Sequence, residues 1–217
     1  MTPEATVFIV DDEEGVRDSL QRLIQSVNIR TEAYASAPDF LAAYHPDKWG
    51  CLLLDIRMPG MSGLELQQKL ATERITLPVL IITGYGDVPS AVRAMKTGAF
   101  EFIEKPFNKQ TLLEKIQRAI ESHQQHRETN AKRINVAERI DTLTPREIEV
   151  MRRVVSGQAN KVIAFDLGIS KKTVEAHRAR VMEKMNVRTV AELVRANMLF
   201  EEETTENSGD EESQEIK

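Results

Sequence analysis

The stretch that most constrains this 217-residue chain is Cys51–Gly63, which reads C-L-L-L-D-I-R-M-P-G-M-S-G. Three consecutive leucines show neither a helical nor an alternating period, so they describe a short strand buried on both faces. The run stops at the carboxylate of Asp55, and Pro59, Gly60 and Gly63 then force a loop. Asp55 is thereby placed at the carboxyl end of a central strand. In open α/β sheets, ligands bind in the crevice beyond those strand ends.

The same grammar recurs on either side. Thr6–Val10 is a β-branched run ending in Asp11, Asp12, Glu13 and Glu14, after which Val16, Leu20, Leu23, Ile24 and Val27 recur with helical spacing. Arg30–Tyr34 reads as a second strand, and Ser36 caps a short helix through Phe40 to Tyr44. Cys51–Asp55 is the third strand and Gly63–Glu73 the helix after it. Val79–Thr83 is the fourth strand, running into T-G-Y-G-D, with a helix over Val88–Lys96. Phe100–Lys105 is the fifth, followed by Pro106 and a helix with Leu112, Leu113, Ile116 and Ile120 on one face. Strands and helices alternating in this way predict an α/β fold, a doubly wound five-stranded parallel sheet. Its carboxyl edge would collect Asp11, Asp12, Asp55, Thr83 and Lys105.

That set has its own chemical logic. Three carboxylates brought together repel unless a cation sits among them, and an all-oxygen ligand set favours a hard ion such as Mg²⁺. A Lys and a Thr hydroxyl opposite can hold the oxygens of a phosphoryl group, and an Asp carboxylate can form an acyl phosphate. The chain has no G-x-x-x-x-G-K-[ST] loop, so a nucleotide is not the evident donor.

These residues, as the D-D pair, D-I-R-M-P-G-M-S-G, T-G-Y-G-D and E-K-P-F in this order and spacing, resemble the receiver domain of two-component response regulators over residues 4–121. The resemblance implies that Asp55 accepts a phosphoryl group from a histidine kinase. It implies that Asp11, Asp12, Asp55 and the backbone carbonyl of Arg57 hold Mg²⁺, that Thr83 and Lys105 bind the phosphoryl oxygens, and that Phe102 is an aromatic switch. Such a protein is not an enzyme beyond slow self-dephosphorylation. A phosphoaspartyl hydrolase with Asp55 as nucleophile is the rival, but the loop from Ile56 to Gly63 offers no spare carboxylate for acid–base work.

Residues 122–138 contain neither Gly nor Pro, so the linker is expected to be helical, with Ile134 and Ile140 as contact points. His123 and His126 lie three apart, but with no third ligand they are not read as a metal site. Thr144-Pro145-Arg146-Glu147 is a helix start, with a capping Thr, Pro at the first position and Glu three after the cap. Gly157 ends that helix, Gly168 stops a second over Asn160–Leu167, Ser170 caps a third reaching Met185, and Thr189–Met198 gives a fourth. Two short helices joined by a Gly-containing turn form a helix-turn-helix, and Lys161, Lys171, Lys172, Arg178, Arg180 and Lys184 cluster around it. Through L-T-P-R-E, N-K-x-I-A, L-G-I-S and T-V-E-A-H-R, residues 139–200 resemble the LuxR-type DNA-binding domain, and the whole resembles the FixJ/NarL class of transcription regulators. The likeness implies that Lys171–Arg180 enters the major groove. Glu175, Ala176 and Ala179 would face the bases, with Lys171, Lys172, Thr173, His177 and Arg178 nearer the backbone and Asn160 and Lys161 adding contacts from the preceding helix.

Charge supports the division. The chain carries −5 overall, yet residues 141–200 hold eleven Lys and Arg against seven Asp and Glu, and residues 201–217 hold one against eight. The acidic tail is expected to be disordered. A single cysteine excludes an internal disulfide and fits a reducing cytoplasm. No apolar run approaches membrane-spanning length. The expected partners are a histidine kinase, double-stranded promoter DNA, a second copy of the chain on phosphorylation, and RNA polymerase.

Overall fold

A computed structural model describes residues 4–84 and 88–212, with side chains through Glu201. The Tyr85, Gly86 and Asp87 of the T-G-Y-G-D motif therefore lie outside the described residues, as does 213–217. The chain divides into two compact units between Arg127 and Glu128.

In the first unit, strands β1 (Thr6–Val10), β2 (Arg30–Tyr34), β3 (Gly50–Leu54), β4 (Val79–Thr83) and β5 (Glu101–Glu104) alternate with α1 (Glu14–Gln25), α2 (Ala37–Ala43), α3 (Gly63–Thr72), α4 (Val88–Lys96) and the start of α5 (Lys109–Asp141). All strands are parallel, in the order β2-β1-β3-β4-β5. β1, β3 and β4 are buried along their whole length, as apolar runs without alternation require. Alternate residues feed two cores. Phe8, Leu52, Leu54 and Ile81 pack on Phe40 of α2, Leu66 and Leu70 of α3 and Ala94 of α4, whereas Val7, Ile9, Leu53 and Ile82 pack on Leu20 and Ile24 of α1 and Leu112 and Ile116 of α5. Ser36 caps α2, and Ser62 with Glu65 forms a capping box on α3.

The predicted breaker-free linker is helical, since α5 runs unbroken to Asp141. The contact points differ in part from expectation. Ile140 is buried, but Ile134 is 49% exposed and Val136 takes the inward position instead. His123 is also buried, with Nδ1 2.9 Å from the carbonyl oxygen of Gly50 and 3.1 Å from its amide, so it is a structural residue of the first unit.

The second unit holds α6 (Pro145–Val155), α7 (Asn160–Leu167), α8 (Lys171–Lys184) and α9 (Val190–Glu212). Val136, Ile140, Val150, Val154, Ile163, Val174, Val181, Met185 and Leu193 form its core. Thr144 and Glu147 make the predicted capping box, Gly168 ends α7 with φ 63°, and Ser170 caps α8. α9 continues past Phe200 to Glu212. Its packed first turns pay the nucleation cost, and the extension, rich in Glu and free of Pro, needs only propagation.

Candidate functional site

The strand order reverses between β1 and β3, and the residues immediately after these two strands are Asp11 and Asp55. Both carboxylates are buried, at 3% and 8% exposure. Lys105, one residue past β5, bridges them, with Nζ 2.9 Å from Asp11 Oδ2 and 3.1 Å from Asp55 Oδ1. The other oxygens are also occupied. Asp55 Oδ2 accepts from the Arg57 amide at 2.7 Å and Asp11 Oδ1 from the Glu13 amide at 2.9 Å. Burial raises the Asp55 pKa against the opposing pull of Lys105 and of the Arg57 amide. For Lys105, burial works downward, but the bonds and charges of Asp11 and Asp55 outweigh it and the net shift is upward.

Local chain geometry fixes Asp55. Gly63, the first residue of α3, lies so close that a Cβ there would stand 2.0 Å from the Asp55 carbonyl oxygen, so the motif admits only glycine. Thr83 is buried at the end of β4, and its carbonyl accepts the Lys105 amide at 2.8 Å. Phe102 pairs with Ile81 in the β4–β5 register and packs half-buried on the core that includes Ala94. Asp12 is exposed, and among the described residues no three acidic or metal-ligating groups converge. Of the three expected carboxylates, Asp11 and Asp55 share the Lys105 ammonium, while Asp12 stays exposed beside Asp11. The position held by Lys105 Nζ nonetheless suits a hard cation, being lined by buried carboxylate oxygens.

Sequence reasoning missed Arg17, whose Nη1 donates to the carbonyls of Asp11 at 2.7 Å and Asp12 at 2.9 Å and so shapes the acidic loop. The available signal was an arginine in the first turn of a helix, where the macrodipole disfavours a cation.

In the second unit, Lys161, Lys171, Lys172, Thr173, Glu175, Ala176, Ala179 and Arg180 are exposed, and Asn160, His177 and Arg178 half-buried. Val174, Val181 and Met185 form the inward stripe of α8, as its period predicts. Arg178 Nη1 donates to Asn160 Oδ1 at 2.8 Å, tying the outer face of α8 to the start of α7. The small Ala176 and Ala179 leave room for close approach to a groove. Lys184 leaves the predicted basic cluster, since its Nζ is bonded to Glu147 at 2.7 Å and to the Thr142 carbonyl at 2.9 Å. Arg146 of L-T-P-R-E donates to the Leu167 carbonyl at 2.6 Å, closing the end of α7.

A parallel sheet with an acidic pair and a lysine at its switch point, followed by a helix-turn-helix with a cationic outer face, defines a class of phosphoryl-responsive DNA-binding proteins. The model of the response regulator receiver domain matches residues 7–117, and that of the bacterial regulatory proteins of the luxR family matches residues 141–196. The chain belongs to the two-component response regulators of the FixJ type, transcription regulators that join a receiver to a LuxR-type DNA-binding domain. It is 47% identical to the transcriptional regulatory protein FixJ of Rhizobium meliloti, covering 88% of this chain and 93% of that one. It is 43% identical to nodulation protein W of Bradyrhizobium diazoefficiens, over 88% of this chain and 85% of that one. Among solved structures, the response regulator StyR is similar, with a TM-score of 0.81, 41% identity and coverage of 90% of this chain and 99% of that one. No described helix is long and apolar enough to cross a membrane.

Proposed function

We propose that Asp55 is the phosphoryl acceptor of this regulator. The observation that supports this most is the placement of its carboxylate, buried at the switch point with one oxygen 3.1 Å from Lys105 Nζ and the other 2.7 Å from the Arg57 amide. An Asp55 oxygen attacks the phosphorus of a kinase phosphohistidine, the P–N bond breaks toward the imidazole, and an acyl phosphate remains. Lys105 then turns from pairing carboxylates to pairing a phosphoryl oxygen, and the Thr83 hydroxyl takes another. Bound Mg²⁺, held by Asp11, Asp12, Asp55 and the Arg57 carbonyl, would neutralise the charge gathering on those oxygens. Phe102, behind Thr83 on the same face of the sheet, reports the change.

In this reading, residues 4–121 act as receiver, 122–138 as helical linker, 139–200 as DNA-binding domain and 201–217 as acidic tail. Phosphorylation favours a two-fold dimer in the cytoplasm that binds inverted promoter half-sites and engages RNA polymerase. The contacts come from Asn160, Lys161, Lys171, Lys172, Thr173, Glu175, Ala176, His177, Arg178 and Ala179.

Mass spectrometry of the protein treated with acetyl phosphate is the test. Addition of one phosphoryl group is expected with Mg²⁺ and is lost with Mg²⁺ chelated or in Asp55→Asn. Equal labelling of the variant would falsify the assignment.

A further inference from the structure

Helix α4 has one buried residue, Ala94, while its Val88, Val92 and Met95 are 75%, 47% and 49% exposed. What holds its carboxyl end is unusual. Gln67 of α3 is 2% exposed, lies next to the core leucines Leu66 and Leu70, and donates from Nε2 to the Ala94 carbonyl at 2.9 Å. Its Oε1 is buried and has no hydrogen-bond partner among the described residues. The Ala94 carbonyl also accepts the Ala99 amide at 3.0 Å, so it would not be orphaned if Gln67 were absent.

A leucine at this position would fill similar space and leave nothing unsatisfied. The amide instead makes one bond and carries one unmade acceptor, which cancels most of its net contribution to stability. What remains is direction, because a hydrogen bond fixes where a helix end sits and apolar contact does not. We propose that Gln67 is a positioning residue that pins the carboxyl end of α4 in the unphosphorylated receiver, so that displacement entering from the Thr83 side swings the exposed amino end. This rests on Asp55 being the acceptor. In sequence only four residues separate Thr83 from Val88, so α4 is the first helix after Thr83 to feel a change there.

The test compares full-length wild type and Gln67→Leu without phosphodonor. Hydrogen exchange of the Val88–Lys96 amides is expected to quicken about three- to tenfold, the range spanned by one net hydrogen bond, with melting temperature unchanged or raised. Affinity of the unphosphorylated variant for DNA should rise by a similar factor, and the acetyl phosphate-treated forms should bind alike. Exchange that matches wild type, or that quickens everywhere with a fall in melting temperature, overturns the proposal, as does faster α4 exchange with unchanged DNA affinity. Labelling of Asp55→Asn judges the acceptor assignment separately, and the exchange comparison does not depend on it.

Discussion

Replacing Glu147 by Gln should destabilise the DNA-binding unit without touching the receiver. The Glu147 carboxylate is 3% exposed, accepts from Lys184 Nζ at 2.7 Å and from the Thr144 amide at 2.9 Å, and closes the capping box that starts α6. The Lys184 bond first, then the Thr144 amide, hold its pKa down to about 2 from an ordinary 4.5. Such a depression corresponds to about 3 kcal/mol of preference for the ionised form. Lys184 keeps a third of its side chain in water, so its charge is partly hydrated when unpaired and a loss of about 2 kcal/mol is expected. For a domain of this size, that lowers the melting temperature by about 10 °C. The sole tryptophan, Trp49, and all three tyrosines precede Glu128. Tryptophan fluorescence therefore follows the receiver alone, while far-ultraviolet circular dichroism follows both units. A dichroism transition shifted downward with the fluorescence transition in place is the expected signature. Because the folded pKa is depressed, the stabilisation is complete above the unfolded value of 4.5 and is lost as pH falls from there toward about 2. Wild type and variant should accordingly converge in that window. A variant that melts with wild type at pH 7, or a gap as wide at pH 3 as at pH 7, would refute the reasoning.

Three further outcomes are expected. Burial lowers the His123 pKa below its ordinary 6.5, so the receiver should lose stability as pH falls through 6.5 while the unfolded chain takes up the proton; Trp49 fluorescence melts of wild type and His123→Gln should show that slope only in wild type. Asn160→Ala, which leaves the Arg178 charge in place, should weaken DNA binding about threefold in fluorescence anisotropy titrations, and an unchanged affinity would remove the pair from the interface. Deleting residues 201–217 should tighten binding to unrelated DNA at low salt, with the gain shrinking as salt rises; superimposable titrations at every salt concentration would leave the acidic extension a solubilising role.

The sheet was legible because burial on both faces leaves apolar runs without alternation, and each run ends in a residue with chemistry. Asp11, Asp55, Thr83 and Lys105 could be placed on one edge for that reason. Helix starts were readable because capping is local, as Ser36, Ser62, Thr144 and Ser170 show. Long-range polar choices were not. Nothing in the pattern separates Lys184, which turns inward to Glu147, from Lys171 and Lys172, which stay in water, since all three share one basic helix. Val136 rather than Ile134 faces the core because the helical phase over a sparse apolar stretch is set by what packs against it.

The bond between Arg178 and Asn160 has a thermodynamic consequence of its own. An acidic partner would hold the guanidinium still but cancel its charge, as the 3.7 Å contact between Lys171 and Glu175 partly does. The Asn160 amide holds it at 2.8 Å and leaves the full positive charge for a phosphate. A long side chain that must be ordered on binding costs about 1 kcal/mol of conformational entropy. Here the ordering is done when the domain folds, so in the proposed interface Arg178 would meet a phosphate with its rotamer already chosen.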